Sequence, residues 1–268
     1  MCRLCPERRA MTLAELLVSI AVLGIVAVAM STLAHSVQQG YEYSEGHATM
    51  AQHARVALDR MTRIVHEATA SEQFPGFIVV EEQVGGWRLP EVLVVWHPEG
   101  EPVDPTGLPR FNELILFCPG KAATNQLVEL RAPDDTRIVP AVGDLAAWLA
   151  EVRAIRASAD TNAVTLTDLL RTAWIGTGPS AGSRGMVRFE SRLRPSASEW
   201  ASYRAGTLAW SDLAWPQNFS SATSGMRQAW VRVEVQLMPG EAWIASDPAG
   251  QRAVPFFGSA ALYYPLRK

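Results

Sequence analysis

The residues best placed to do chemistry lie in the first fifteen positions, MCRLCPERRAMTLAE. Arg3, Arg8 and Arg9 precede an Ala10–Met11 junction, and Glu15 stands just beyond it. Hydrolysis of the peptide bond between Ala10 and Met11 would free an α-amine four residues upstream of the Glu15 carboxylate. Such a pair can form within one chain or between neighbours staggered along an assembly. In an apolar setting it fixes register more than it adds stability. The plainer alternative is that Glu15 marks a membrane interface. It is the last charge before nineteen uncharged residues, Leu16–Ala34, and a carboxylate at such a threshold is expensive to embed without a partner. As a helix that run reaches about 28 Å, close to the roughly 30 Å hydrocarbon core of a bilayer. The basic residues before it keep the N-terminus cytoplasmic and send the rest outward.

Three readings of this segment stand side by side. A secretory signal would be cut after the apolar run, where Ala27, Ala29 and Ser31 imitate the small residues of a cleavage site. A plain membrane anchor would not be cut at all. A short leader ending at Ala10 accounts for the order of basic residues, junction and carboxylate. On Arg8, Arg9, Ala10, Met11, Thr12, Leu13 and Glu15 the segment resembles the type IV prepilin signature. The resemblance implies removal of residues 1–10 by a prepilin peptidase and N-methylation of Met11. It also implies an apolar helix that serves first as membrane anchor and then as filament core. The chain departs from the family in having Ala10 where Gly is usual and Met11 where Phe is usual.

The remaining sequence offers little catalytic chemistry. G-x-S-x-G, H-E-x-x-H, G-x-x-x-x-G-K-S/T and G-x-G-x-x-G are all missing, so a non-enzymatic role is expected. Cys2 and Cys5 form a C-x-x-C inside the leader, and the five histidines are too scattered to complete a zinc site with them. Once the leader is gone, only Cys118 of the three cysteines remains, and no internal disulfide can form. Asp134–Asp135 follows Pro133 in a turn setting and reads as solvated acid rather than a calcium site. The glycine-rich stretch 176–185 lacks a phosphate-binding lysine and reads as a hairpin loop. No cofactor or metal is expected. Nor is nucleic acid, because 24 Lys+Arg against 27 Asp+Glu leave no strong positive field. Loss of the leader takes these totals to 21 and 26, and the net charge from -3 to -5. Trp200, Trp210 and Trp215 lie in an aromatic stretch with Tyr203 and Phe219. Such a stretch either anchors a partner or pins an irregular segment to a sheet.

These residues need elements to hold them. Beyond the apolar run, Ala51, Ala54, Leu58, Met61, Val65 and Ala68 recur at intervals of three and four, the stripe of a helix that packs on a sheet. A single helix from Met11 to about Ser71 would be about 90 Å long, with Gly40 to Gly46 as a point of bending. Domain boundaries follow as leader 1–10, transmembrane or filament-core helix 11–34, helical stalk 35–72 and β-rich head 73–268. Strands are expected at Phe77–Val80, Val92–Trp96, Glu113–Phe117, Leu127–Leu130, Arg137–Val139, Ala163–Thr167, Met186–Leu193, Trp230–Leu237 and Ala260–Tyr264. A helix capped by Asp144 is expected to run to about Ser158, with Leu145, Trp148, Leu149, Val152 and Ile155 inward. Alternation along Val231, Val233, Val235 and Leu237 marks a mainly antiparallel sheet with one wet side. The fold class is therefore α+β, pilin-like, a long N-terminal helix packed on a β-rich head.

Within the pilin-like class the helical stretch 50–68, the large β-rich head and the late strand 227–237 look like the minor pseudopilin J family of type II secretion systems. That resemblance implies a place at the tip of a pseudopilus, with other minor pseudopilins and the major pseudopilin as partners. It also implies inner-membrane anchoring with the head in the periplasm. A minor pilin of a type IV pilus, or a membrane-anchored periplasmic domain binding a ligand through its aromatic stretch, are the competing readings.

Overall fold

The computed structural model describes residues 12–176, 181–213, 217–221, 224–239 and 253–267. The first element, α1 (Leu13–His66), continues as helix through Gly40 and Gly46, where the sequence suggested a bend, and ends before Ser71. The chain divides into two compact units, one up to Ala48 and one from Thr49. Within the second unit, the end of α1 is a core element. Its buried residues are Met50, Ala54, Ala57, Met61, Ile64 and Val65. The stripe keeps the three-and-four spacing expected of a helix on a sheet but is rotated relative to the expected one: Ala51 and Leu58 lie at its margin, and Ala57 and Ile64 lie inside.

The larger sheet is a five-stranded antiparallel meander in the order β1 (Phe77–Val84), β2 (Trp87–Trp96), β3 (Leu114–Pro119), β4 (Leu127–Arg131) and β5 (Asn162–Thr167). Successive side chains point to opposite faces, and both faces are covered. Phe77, Leu93, Val95, Ile115 and Phe117 join the core built on α1. Ile78, Val92, Val94, Leu116 and Cys118 join a second core with Trp148, Val152 and Ile155 of α2 (Leu145–Ala157). This is why β2 and β3 read as near-continuous apolar runs. Asp144 caps α2 as expected, accepting from the Ala147 N–H at 3.0 Å. Leu145, expected inward, is 61% exposed, because it sits at the first turn before the helix reaches the sheet.

The second sheet has β10 (Ser224–Leu237) at its centre, between β11 (Val254–Arg267) and β8 (Val187–Arg194), with the short β9 (Gln217–Ser221) also on β10. All its pairings are antiparallel. β10 carries the expected alternation, with Val231, Val233, Val235 and Leu237 buried in the α1 core. Arg232 on the opposite face lies 4.8 Å over the ring of Phe257. A small ribbon, β6 (Thr172–Ile175) with β7 (Gly182–Gly185), a capped helix, α3 (Ala197–Arg204), and two single-turn 3-10 helices, Phe111–Glu113 and Trp210–Asp212, complete the described elements.

Three expectations need correction. Residues 137–139 form no strand; Ile138 makes only an isolated bridge to Arg110, while Arg137 is turned outward to acidic partners. Part of the glycine-rich stretch read as a loop is β7. The segment after β8 contains α3, set by a Ser196–Glu199 capping box. At the passage from α1 to β1, Gly76 has φ of 87°, and a Cβ there would run into the Leu262 side chain, so only glycine fits.

Candidate functional site: the helix start and its apolar surface

Thr12 precedes the first helical residue, and Glu15 is three residues on. The Glu15 carboxylate accepts from the Thr12 N–H at 2.9 Å and from its hydroxyl at 3.0 Å. In return the Glu15 N–H donates to Thr12 Oγ1 at 3.3 Å. This is a reciprocal capping box, which satisfies two of the donors that a helix leaves bare at its start. The S/T-x-x-E pattern before an apolar run is its sequence signal, and Thr12 is the residue that the amine–carboxylate argument overlooked. Glu15 therefore has a local partner already, at the backbone nitrogen next in the chain to Met11. Ala10 and Met11 themselves lie outside the described residues.

Beyond the cap, apolar side chains are exposed on every side of α1. Leu17, Val18, Ile20, Val22, Leu23 and Ile25 alone cover most of its circumference at 100° per residue. No residue of its most apolar stretch is buried, and that stretch is long and apolar enough to cross a membrane. Polar groups inside the run are satisfied within the helix. The hydroxyl of Ser19 donates to the Glu15 carbonyl at 2.7 Å, that of Thr32 to Ala29 at 2.8 Å, and that of Ser36 to Thr32 at 2.9 Å. A helix that is apolar all round and asks nothing of water is suited to lipid, or to a sheath of like helices. Among the described residues, nothing beyond its own helix backbone comes within 4 Å of a Cβ built on Gly24, so no packing contact among them requires glycine there.

The aromatic stretch has a different character. The Trp200 and Tyr203 rings stack at 5.1 Å between centroids, and Tyr203 meets Trp210 at 5.3 Å. Trp210 is only 6% exposed and packs with Leu213 and Leu266, while Trp200 stays half-buried at the margin of the cluster. Trp215 lies outside the described residues. Among the described residues, the tryptophans open to solvent are two that were not singled out, Trp87 at 66% and Trp174 at 74%. Trp87 directly follows the Gly85–Gly86 turn between β1 and β2, a signal of a hairpin end that the sequence did carry.

Other candidate chemistry is occupied or shielded. Asp135 gives both carboxylate oxygens to Arg137, at 3.0 and 2.7 Å, and this pairing holds its carboxyl below the usual range. Burial pushes the Cys118 thiol up to about 11, which keeps it protonated and unreactive. Among the described residues, no group of three His, Cys, Asp or Glu side chains could hold a metal ion.

Residues 6–31 match the family described as a prokaryotic N-terminal methylation motif. The match covers the leader junction, the capping box and most of the apolar run. No curated protein and no solved structure matches the chain. The motif and the apolar helix that follows it make the chain pilin-like in its N-terminal part, and the motif implies processing by a prepilin-type peptidase.

Proposed function

We propose that the chain is a minor pseudopilin, a structural subunit of a type II secretion pseudopilus, placed near the filament tip and helping assembly to begin. The observation that carries this reading is the methylation motif running into a helix whose apolar surface is exposed on all sides. A permanent anchor would need the helix but not the junction before it. A subunit that leaves the bilayer for a filament needs both. In this reading the prepilin peptidase cuts after Ala10 and Met11 becomes the methylated N-terminus. Residues 11–34 serve as inner-membrane anchor and then filament core, 35–72 as stalk, and 73–268 as a periplasmic head. Glu15 sets the stagger between neighbouring subunits through the new amine. Trp200, at the open margin of its cluster, contributes to the partner surface, with Trp210 packed behind it; Trp215 is assigned to the same surface from the sequence alone. The partners are other minor pseudopilins and the major pseudopilin, and no cofactor takes part.

Co-expression with a prepilin peptidase tests the processing: N-terminal sequencing and intact mass are expected to show a chain ten residues shorter that begins at methylated Met11. A mature start beyond Ala29 would remove the basis of the reading. Crosslinking in cells tests the placement. Capture of other pseudopilins supports it, capture of pilus components favours a minor pilin of a type IV pilus, and capture of neither favours a membrane-anchored ligand-binding domain.

A further inference from the structure

A cleft of about 410 Å³, in the size range of small-ligand sites, is lined by residues of β1, β2, α2, β7 and the loop after β3. Four cations line it, Lys121, Arg153, Arg156 and Arg184, against two carboxylates, Glu82 and Glu91. Both carboxylates are committed. Glu82 accepts from Arg153 at 2.7 Å and from Arg184 at 2.8 Å, and Glu91 accepts from Arg184 at 3.1 Å. Arg156 stands 3.6 Å from Glu91, too far for a hydrogen bond, and donates through one terminal nitrogen to the Pro119 carbonyl at 2.9 Å. Its Nε is buried and has no acceptor among the described residues. Lys121 is exposed and makes no ion pair among them. The Thr124 and Ser183 hydroxyls, 3.1 Å apart, add donors at the same wall.

Two other clefts among the described residues lack this surplus of positive charge. The adjoining one, which shares Glu91 and Arg184, sets three arginines against three glutamates, and the one at Asp134, Asp135 and Asp160 holds a single arginine. Cations that outnumber their partners in a space half closed to water repel one another, and an anion among them removes that cost. We propose that the cleft binds a compact dianion, a phosphate or dicarboxylate group, whose two charges match the surplus and whose oxygens meet Lys121 and the terminal nitrogen of Arg156 that stands 3.6 Å from Glu91. The site is in the head and is independent of the filament role.

Thermal unfolding of the full chain in detergent micelles, titrated with inorganic phosphate or with malonate at constant ionic strength, tests the proposal. The expected result is a saturable rise in unfolding temperature with at least one of the two, and which one acts identifies the ligand class. Lys121→Gln and Arg156→Gln are each expected to weaken that binding by about tenfold, the worth of one charge at close range. Without anion, Lys121→Gln is expected to unfold no lower than the parent, because it relieves repulsion, so this variant decides the matter even if Arg156→Gln folds poorly. A rise no greater than that given by chloride, or an unchanged affinity in Lys121→Gln, overturns the proposal.

Discussion

At the scale of single residues, Glu15 has two possible employers. The capping box binds its carboxylate to Thr12, and the proposed amine of Met11 is the next group along the chain. Substitution can separate them. Glu15→Gln keeps a side chain able to close the box but carries no charge, so it is expected to preserve helix content by circular dichroism and still impair incorporation into filaments. Normal incorporation of that variant would show that charge at this position is dispensable. Thr12→Val removes the cap hydroxyl and is expected to fray the first turn at a cost of about 1 kcal/mol, with membrane insertion unchanged. A second residue-scale prediction concerns Arg60, which holds the nearly buried Glu129 carboxylate through two bonds of 2.8 and 2.9 Å. Arg60→Met leaves Glu129 with Arg131 alone, at 3.4 Å, and is expected to cost about 2 kcal/mol in denaturant unfolding. Burial raises the Glu129 carboxyl, but Arg60 and Arg131 outweigh it and leave the group below its ordinary value of 4.5. A carboxyl depressed by folding contributes its full stability above that ordinary value and loses it as pH falls further. The parent is therefore expected to weaken on acidification below about pH 4.5, and Arg60→Met to show a shallower acid dependence in that window.

At the scale of elements, what was legible depended on how a segment earns its structure. α1, α2 and the long strands bury regular stripes, and a stripe is visible as periodicity in the residues themselves. The rotation of the α1 stripe toward Ala57 and Ile64 was not visible, because it follows from packing against two sheets at once. β6, β7 and β9 are short and rich in small or polar residues, and although each pairs with a neighbour in the chain, none carries the apolar alternation that announces a strand. Residues 137–139 failed in the other direction: Ile138 and Val139 suit a strand, but Arg137 is held by Asp135 and Glu151 at 2.7 and 2.9 Å in irregular chain. The close fit of the α1 stripe is itself testable. Ala57 is fully buried against the sheets, so Ala57→Leu is expected to overpack the core and cost about 1–3 kcal/mol, read as a lower unfolding temperature. The same change at the neighbouring exposed Val56 is expected to stay within about 0.5 kcal/mol.

At the scale of the whole molecule, the N-terminal motif and the apolar run after it were readable from sequence, because each is contiguous. The charged cleft was not. Its residues come from positions 82, 91, 121, 153, 156 and 184, and only the fold brings them together. A chain with these two features is expected to shift on processing toward the more acidic side in isoelectric focusing, as net charge goes from -3 to -5. A leader that stays attached would leave it unmoved. The shielded Cys118 has a practical consequence of its own. Two of the three cysteines sit at positions 2 and 5, ahead of the junction, and the third is sealed between β3 and α2. A cysteine placed by mutagenesis at Trp174 or Trp200 will therefore be the sole thiol of the processed subunit within reach of maleimide dyes, spin labels or bifunctional linkers. Neighbours in an assembled fibre can then be mapped residue by residue, without first stripping the native background.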